Sequence, residues 1–261
     1  MTKRMFFFDF DDTLYSHATK RVPESARQSL LRLQAEGNSV VIATGREPGS
    51  LEFIRQSLNI PIEWMIALNG QLLYRNGEKV YERFITLPSI REICSIAAEH
   101  SFPCGGHYAG GSLVTRLDDR VRQVWQEFGS PPPHEIPDFE ERYPLHQGHL
   151  YVTREEAEQY FSKQLQDYLT NWSHPTLMNL ISRETGKSQG IAWLLKQNGI
   201  SPENAYAFGD GFNDKDMLLA VGHGVAMGNA SNDLKAVAEF VAPKPDENGI
   251  QKALQYYGII S

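Results

Sequence analysis

The chain has 261 residues, 41% of them hydrophobic and 22% charged, and a formal net charge of −7. That composition is ordinary for a soluble globular protein, long enough for one large or two modest domains around a sizeable core. The acidic balance argues against a dedicated nucleic-acid binder, which carries a basic face, but leaves room for a small anionic substrate in a local basic pocket.

Residues 4–8, "RMFFF", read as a buried strand, with four consecutive apolar residues after Arg4. It runs directly into Asp9, Asp11 and Asp12. A helix follows at 23–37, with Pro23 suiting the first turn and Gly37 the stop. "SVVIATG" at 39–45 is a second buried strand, then come a helix at 47–57 and a strand at 64–68. Strand and helix alternating at this spacing predict parallel βαβ units. Asn76-Gly77 between alternating runs predicts a hairpin over 72–84.

The rhythm then changes. A helix is expected near 89–100, a hairpin over 106–116, a helix near 118–128 and a Pro-rich loop at 130–137. A strand at 148–153, a helix at 154–169 and a strand at 176–182 complete the stretch. The βαβ pattern returns at 186 with a helix ending at Gly199 and a strand, "NAYAFGD", that again runs into acid at Asp210. Segments at 222–228 and 239–244 and a helix near 249–257 follow. The expected fold is a Rossmann-like α/β parallel sheet with helices on both faces (1–82 and 184–261), interrupted by an inserted α+β domain at 83–183.

Cys94 and Cys104 lack CxxC spacing and read as reduced thiols rather than a disulfide framework or zinc site. No apolar run spans a bilayer, and "MFFF" is too short for a signal-peptide core, so a cytoplasmic location and no membrane partner are expected. Oligomeric state is not readable from the chain.

In open parallel sheets, ligands sit at the carboxyl ends of the strands. There the sequence places Asp9 and Asp11, then Thr44, Gly45 and Arg46, then Asn69, then Asp210, Asn213 and Asp214, with Lys187 at a helix start. Clustered carboxylates resist ionising together, and a hard divalent cation such as Mg²⁺ relieves that. Lys187 and Thr44 suit a phosphate, one carboxylate can attack phosphorus, and a second can move the proton.

"DFDDT" at 9–13, "IATGR" at 42–46, Lys187 and "GDGFNDKDM" at 209–217 resemble, in order, the four motifs of the haloacid dehalogenase-like hydrolases. "NGQ" at 69–71 and "GVAMGNA" at 224–230 resemble the Cof-type subgroup, and the insert its C2 type cap. The resemblance implies a Mg²⁺-dependent phosphatase of small phosphorylated metabolites. Asp9 would be nucleophile and metal ligand. Asp11 would be general acid/base, with its backbone carbonyl on the metal. Asp210 and Asp214 would bind metal. Thr44 and Lys187 would hold the phosphoryl group, with Gly45, Arg46, Asn69 and Asn213 as further substrate contacts. A cap closing over the site would exclude water. A phosphomutase or phosphotransferase using the same intermediate, and a phosphate sensor without turnover, are the rivals. Asp12 reads as a capping or solvated residue, and His107, His146 and His149 of the insert as packed or exposed histidines.

Overall fold

A strand covered on both faces needs no polar alternation, and Met5–Phe8 (β1) has none, all four residues being fully buried. The computed structural model describes residues 3–183 and 185–260. It divides the chain into two units, one of Met1–Glu82 with Thr185–Ser261 and one of Arg83–Glu184. The first unit begins with β1, α1 (Glu24–Ala35), β2 (Ser39–Ala43), α2 (Leu51–Leu58), β3 (Trp64–Ala67), β4 (Leu72–Arg75) and β5 (Glu78–Glu82).

In the second unit come α3 (Leu87–Glu99), β6 (Cys104–Tyr108), β7 (Gly111–Val114), α4 (Asp119–Glu127), β8 (His134–Glu135) and β9 (Gln147–Leu150). It closes with α5 (Arg154–Phe161), β10 (Tyr168–His174) and β11 (Leu177–Ser182). Its sheet runs β10-β11-β9-β6-β7-β8, antiparallel except between β7 and β8. Side chains alternate across a strand. Leu113 therefore packs with Ile90, Ile93 and Phe161 of α3 and α5, while neighbouring Val114 packs with Val121, Val124 and Trp125 of α4.

The chain returns to the first unit with α6 (Lys187–Asn198), β12 (Ala205–Gly209), α7 (Lys215–Leu219), β13 (His223–Ala226), α8 (Asn232–Lys235), β14 (Phe240–Val241) and α9 (Gly249–Tyr256). Its sheet runs β14-β13-β12-β1-β2-β3-β4-β5. The strands from β14 to β3 are parallel, and the β4–β5 hairpin extends the sheet antiparallel. Phe6 and Phe8 of β1 face α1, α2 and α9, whereas Met5 and Phe7 face α6, α7 and α8. With β1 in the middle, the acids that follow it arrive beside those that follow β12.

Three local expectations change. The helix expected over 154–169 stops at Phe161, and Tyr168–His174 is a strand. The capping box of Thr153 and Glu156 starts that helix well, but Tyr168–His174 pairs antiparallel with β11, and the sheet overrides the helical reading. The helix at 47–57 begins as a 3₁₀ turn at Pro48–Ser50 and becomes α-helical from Leu51. A two-residue strand, β8, lies inside the Pro-rich loop. Cys94 and Cys104 are free and buried, with their sulfurs 2.9 Å apart. The contact with Cys104, and then burial, push the Cys94 thiol far up. Among the described residues no helix is long and apolar enough to cross a membrane.

Candidate active site

The ends of β1, β2, β3 and β12 and the start of α6 supply the polar residues. Lys187 is the first residue of α6 and is 0% exposed. Its Nζ donates to Asp9 Oδ1 at 2.5 Å and to Asp214 Oδ1 at 2.6 Å. A buried ammonium is tolerated only when paired, and the two carboxylates do that. Burial opposes the Lys187 charge, but Asp214 and Asp9 outweigh it and hold the lysine ionised.

Two glycines make the approach possible. Gly70 has φ +95, and a Cβ there would lie 2.0 Å from the Gly186 carbonyl oxygen. The turn after β3 can therefore abut the residue before Lys187. A Cβ on Gly209 would lie 2.5 Å from that of Asp214. Asp214 can thus fold back on the end of β12, where its Oδ2 accepts from the backbone N–H groups of Asp210 and Gly211, both at 2.9 Å.

One oxygen each of Asp9, Asp210 and Asp214 lie within 4.8 Å of one another, a set that could hold a metal ion. Burial and then Asp214 push Asp9 well above the ordinary carboxylate range, against the pull of Lys187. Burial pushes Asp210 up to about 7; Asp214 and Asp12 add to this and Thr13 works against it. Thr13 Oγ1 donates to Asp210 Oδ1 at 2.8 Å, and Asn229 Nδ2 to Oδ2 at 3.0 Å. Oxygen-only, mutually repelling ligands fit a hard divalent cation, which removes the repulsion.

Asp11 sits apart from that cluster electrostatically. Arg46 Nε and Nη2 donate to its Oδ2 and Oδ1 at 2.8 and 2.7 Å, and His17 Nε2 lies 2.9 Å from Oδ1. Burial works against the Asp11 charge, but Arg46 and His17 prevail and hold it below the usual range.

The remaining expected residues frame the site. Thr44 is buried, and its Oγ1 accepts from Arg46 N at 3.0 Å. Asn69 is in the left-handed region (φ 54), accepts from Asn213 Nδ2 at 2.8 Å, and packs against Gly45. The structure thus brings Asp9, Lys187, Asp210 and Asp214 together, places Arg46 on Asp11, and joins Asn69 to Asn213. Asp12 has φ 52, and its Oδ1 accepts from His17 N at 3.0 Å, so it caps the turn after β1. In the other unit, Ser112 Oγ lies 2.9 Å from His107 Nδ1, and the His107 and His149 rings meet at 4.5 Å. Burial pushes His107 down to about 4 and drives His149 well down. His17 and Asn229 are the residues that sequence reasoning missed. "DDTLYSH" carries no spacing signal for His17, because its reach depends on the left-handed turn at Asp12.

The sequence model described as haloacid dehalogenase-like hydrolase matches residues 6–254, and the chain belongs to that family. It acts as a hydrolase of phosphate monoesters. It is 32% identical to the phosphatase candidate YkrA of Bacillus subtilis over 265 residues, covering 100% of both chains. It is 28% identical to the pyridoxal phosphate phosphatase YbhA of Escherichia coli, over 92% of this chain and 93% of the relative. The solved structure of the subclass IIB sugar phosphatase BT4131 superposes with a TM-score of 0.83 at 27% identity, covering 99% of this chain and 100% of that one.

Proposed function

We propose that the chain hydrolyses phosphate monoesters of small metabolites, sugar phosphates or cofactor-like and nucleotide-like phosphates, through a phosphoryl group carried transiently on Asp9. The observation that carries this is the split between two acids two residues apart. Asp9 lies in a buried cluster beside Lys187, while Asp11 is held separately by Arg46 and His17. Two carboxylates in such different surroundings suit two roles. The pyridoxal phosphate phosphatase YbhA and the sugar phosphatase BT4131, both similar to this chain, support the substrate class.

Asp9 attacks phosphorus, forming the Oδ–P bond as the ester P–O bond breaks. Asp11 gives its proton to the departing oxygen. A phosphate dianion beside Asp11 raises its proton affinity by like-charge repulsion, which makes that donation accessible. Asp11 then takes a proton from the water that attacks the Asp9 phosphoryl group, releasing inorganic phosphate and restoring both acids. Lys187 offsets the charge on the phosphoryl oxygens, and Thr44 donates to one of them. Asp9, Asp210, Asp214 and the Asp11 carbonyl would hold Mg²⁺, which supplies positive charge to the reacting oxygens. We assign residues 83–183 as the cap that selects the leaving group.

Phosphate release with Mg²⁺ from a panel of sugar, nucleotide and cofactor phosphates tests the reading. Release from at least one class, lost in Asp9→Asn, is expected. Phosphoryl transfer to an acceptor with little free phosphate would overturn the hydrolase assignment, and no turnover of any member would overturn the enzymatic one.

A further inference from the structure

We infer that His17 is a positioning residue that, together with Arg46, orients the Asp11 carboxylate so that its Oδ2 is the oxygen that moves the proton; this rests on the acid/base role proposed for Asp11. An ionised carboxylate offers about four acceptor positions, two on each oxygen. Arg46 Nη2 (2.7 Å) and His17 Nε2 (2.9 Å) occupy both on Oδ1. Arg46 Nε (2.8 Å) takes one on Oδ2. Among the described residues, the other position on Oδ2 receives no donor, and it is the one from which a proton can pass to the leaving oxygen and back from water.

The two donors are themselves held. The Arg46 guanidinium lies over the rings of Phe10 (5.5 Å) and Phe53 (5.0 Å). Tyr15 stacks on Phe10 at 5.4 Å and meets Phe53 edge-on at 5.4 Å. The same Tyr15 meets the His17 ring edge-on at 5.3 Å. One aromatic platform therefore carries both groups. It also gives a reason for Phe53, an apolar side chain that is 41% exposed. Asp12 fixes the other end of His17 through its backbone N–H. A rigid fork and an imidazole on a common platform set the carboxylate plane, so the proton need not wait for rotation about the Asp11 side chain.

The leaving group separates positioning from mere support. 4-Nitrophenolate leaves without a proton, whereas the alkoxide of glucose 6-phosphate needs one. Steady-state kinetics of wild type, His17→Ala, His17→Gln and Arg46→Lys are measured on both with Mg²⁺. The expected result for His17→Ala is a kcat/KM, which reports only the steps through phosphoryl transfer to Asp9, that falls at least about tenfold further on glucose 6-phosphate than on 4-nitrophenyl phosphate, within the roughly 10²–10⁴-fold that a general acid contributes. His17→Gln should recover much of the ratio by restoring a donor, and Arg46→Lys should lose more because the fork is gone. Equal losses of kcat/KM on both substrates, or a change confined to KM, would overturn the positioning role while leaving the phosphatase reading intact. Wild-type protein that releases phosphate from neither compound would overturn that reading for these esters, and the positioning role with it.

Discussion

Asp210→Asn should stabilise the protein when metal is withheld. Asp210 is pushed up to about 7 from 3.8, first by burial and then by Asp214. A folded-state pKa above the unfolded one means that the folded chain binds the extra proton. Stability therefore falls as pH rises from about 4 to about 7 and stays low above that. Three pKa units at about 1.4 kcal/mol each set a ceiling near 4 kcal/mol at pH 8. The amide removes the charge and can still accept from Thr13, but it forfeits the bond from Asn229. Partial exposure and that lost bond reduce the expected gain to about 1–3 kcal/mol. Urea unfolding at pH 8 in EDTA measures it, with wild type and variant side by side. Excess Mg²⁺ should reverse the order, because a cation at about 1,000 times its Kd adds about 4.1 kcal/mol to the chain that binds it. A variant less stable than wild type in EDTA, with both chains responding equally to Mg²⁺, would refute the idea that these carboxylates repel one another around a cation site.

Lys187→Ala should lower kcat by roughly 10²–10³-fold or more. It leaves Asp9 and Asp214 buried without their ammonium, and should cost about 3–5 kcal/mol in urea unfolding at neutral pH; a change below 1 kcal/mol counts against the pairing. Gly70→Ala meets a carbonyl oxygen 2.0 Å from its Cβ at φ +95, so a loss of about 3 kcal/mol together with reduced turnover is expected, read by thermal melting and phosphate release. Burial pushes His107 down to about 4, and a histidine that folds neutral contributes stability present above its unfolded pKa of 6.5 and lost as pH falls toward 4. That term amounts to about 2 kcal/mol by pH 5; His107→Gln should flatten the fall in melting temperature between pH 7 and pH 5, and an unchanged slope would remove His107 as its source.

Much of this was legible because it is written locally. An apolar run such as "MFFF" is a buried strand wherever it occurs, and its abrupt end in acid identifies the sheet edge. A second strand ending in Asp210 points to the same edge. Alternation and Asn76-Gly77 identified the β4–β5 hairpin, and the four motifs named the family. What escaped depends on distant partners or on single dihedral angles. Tyr168–His174 becomes a strand through pairing with β11, which no local propensity dictates. The Asn213–Asn69 bond joins residues 144 positions apart. His17 reaches Asp11 only because Asp12 adopts a left-handed conformation. The sequence places Asp214 only in the metal set. Both its oxygens are also bound by Lys187 and the 210–211 backbone, which only coordinates reveal.

The central claim is that the phosphoryl group passes through Asp9. Asp11→Asn should slow the second step more than the first when the leaving group is 4-nitrophenolate, so the intermediate should accumulate. Acid quenching of that variant after mixing with 4-nitrophenyl phosphate and Mg²⁺, followed by borohydride reduction and peptide mapping, reads the site directly. Conversion of residue 9 to homoserine is the predicted result. Phosphate release with no modification at Asp9, or modification at another residue, would contradict it.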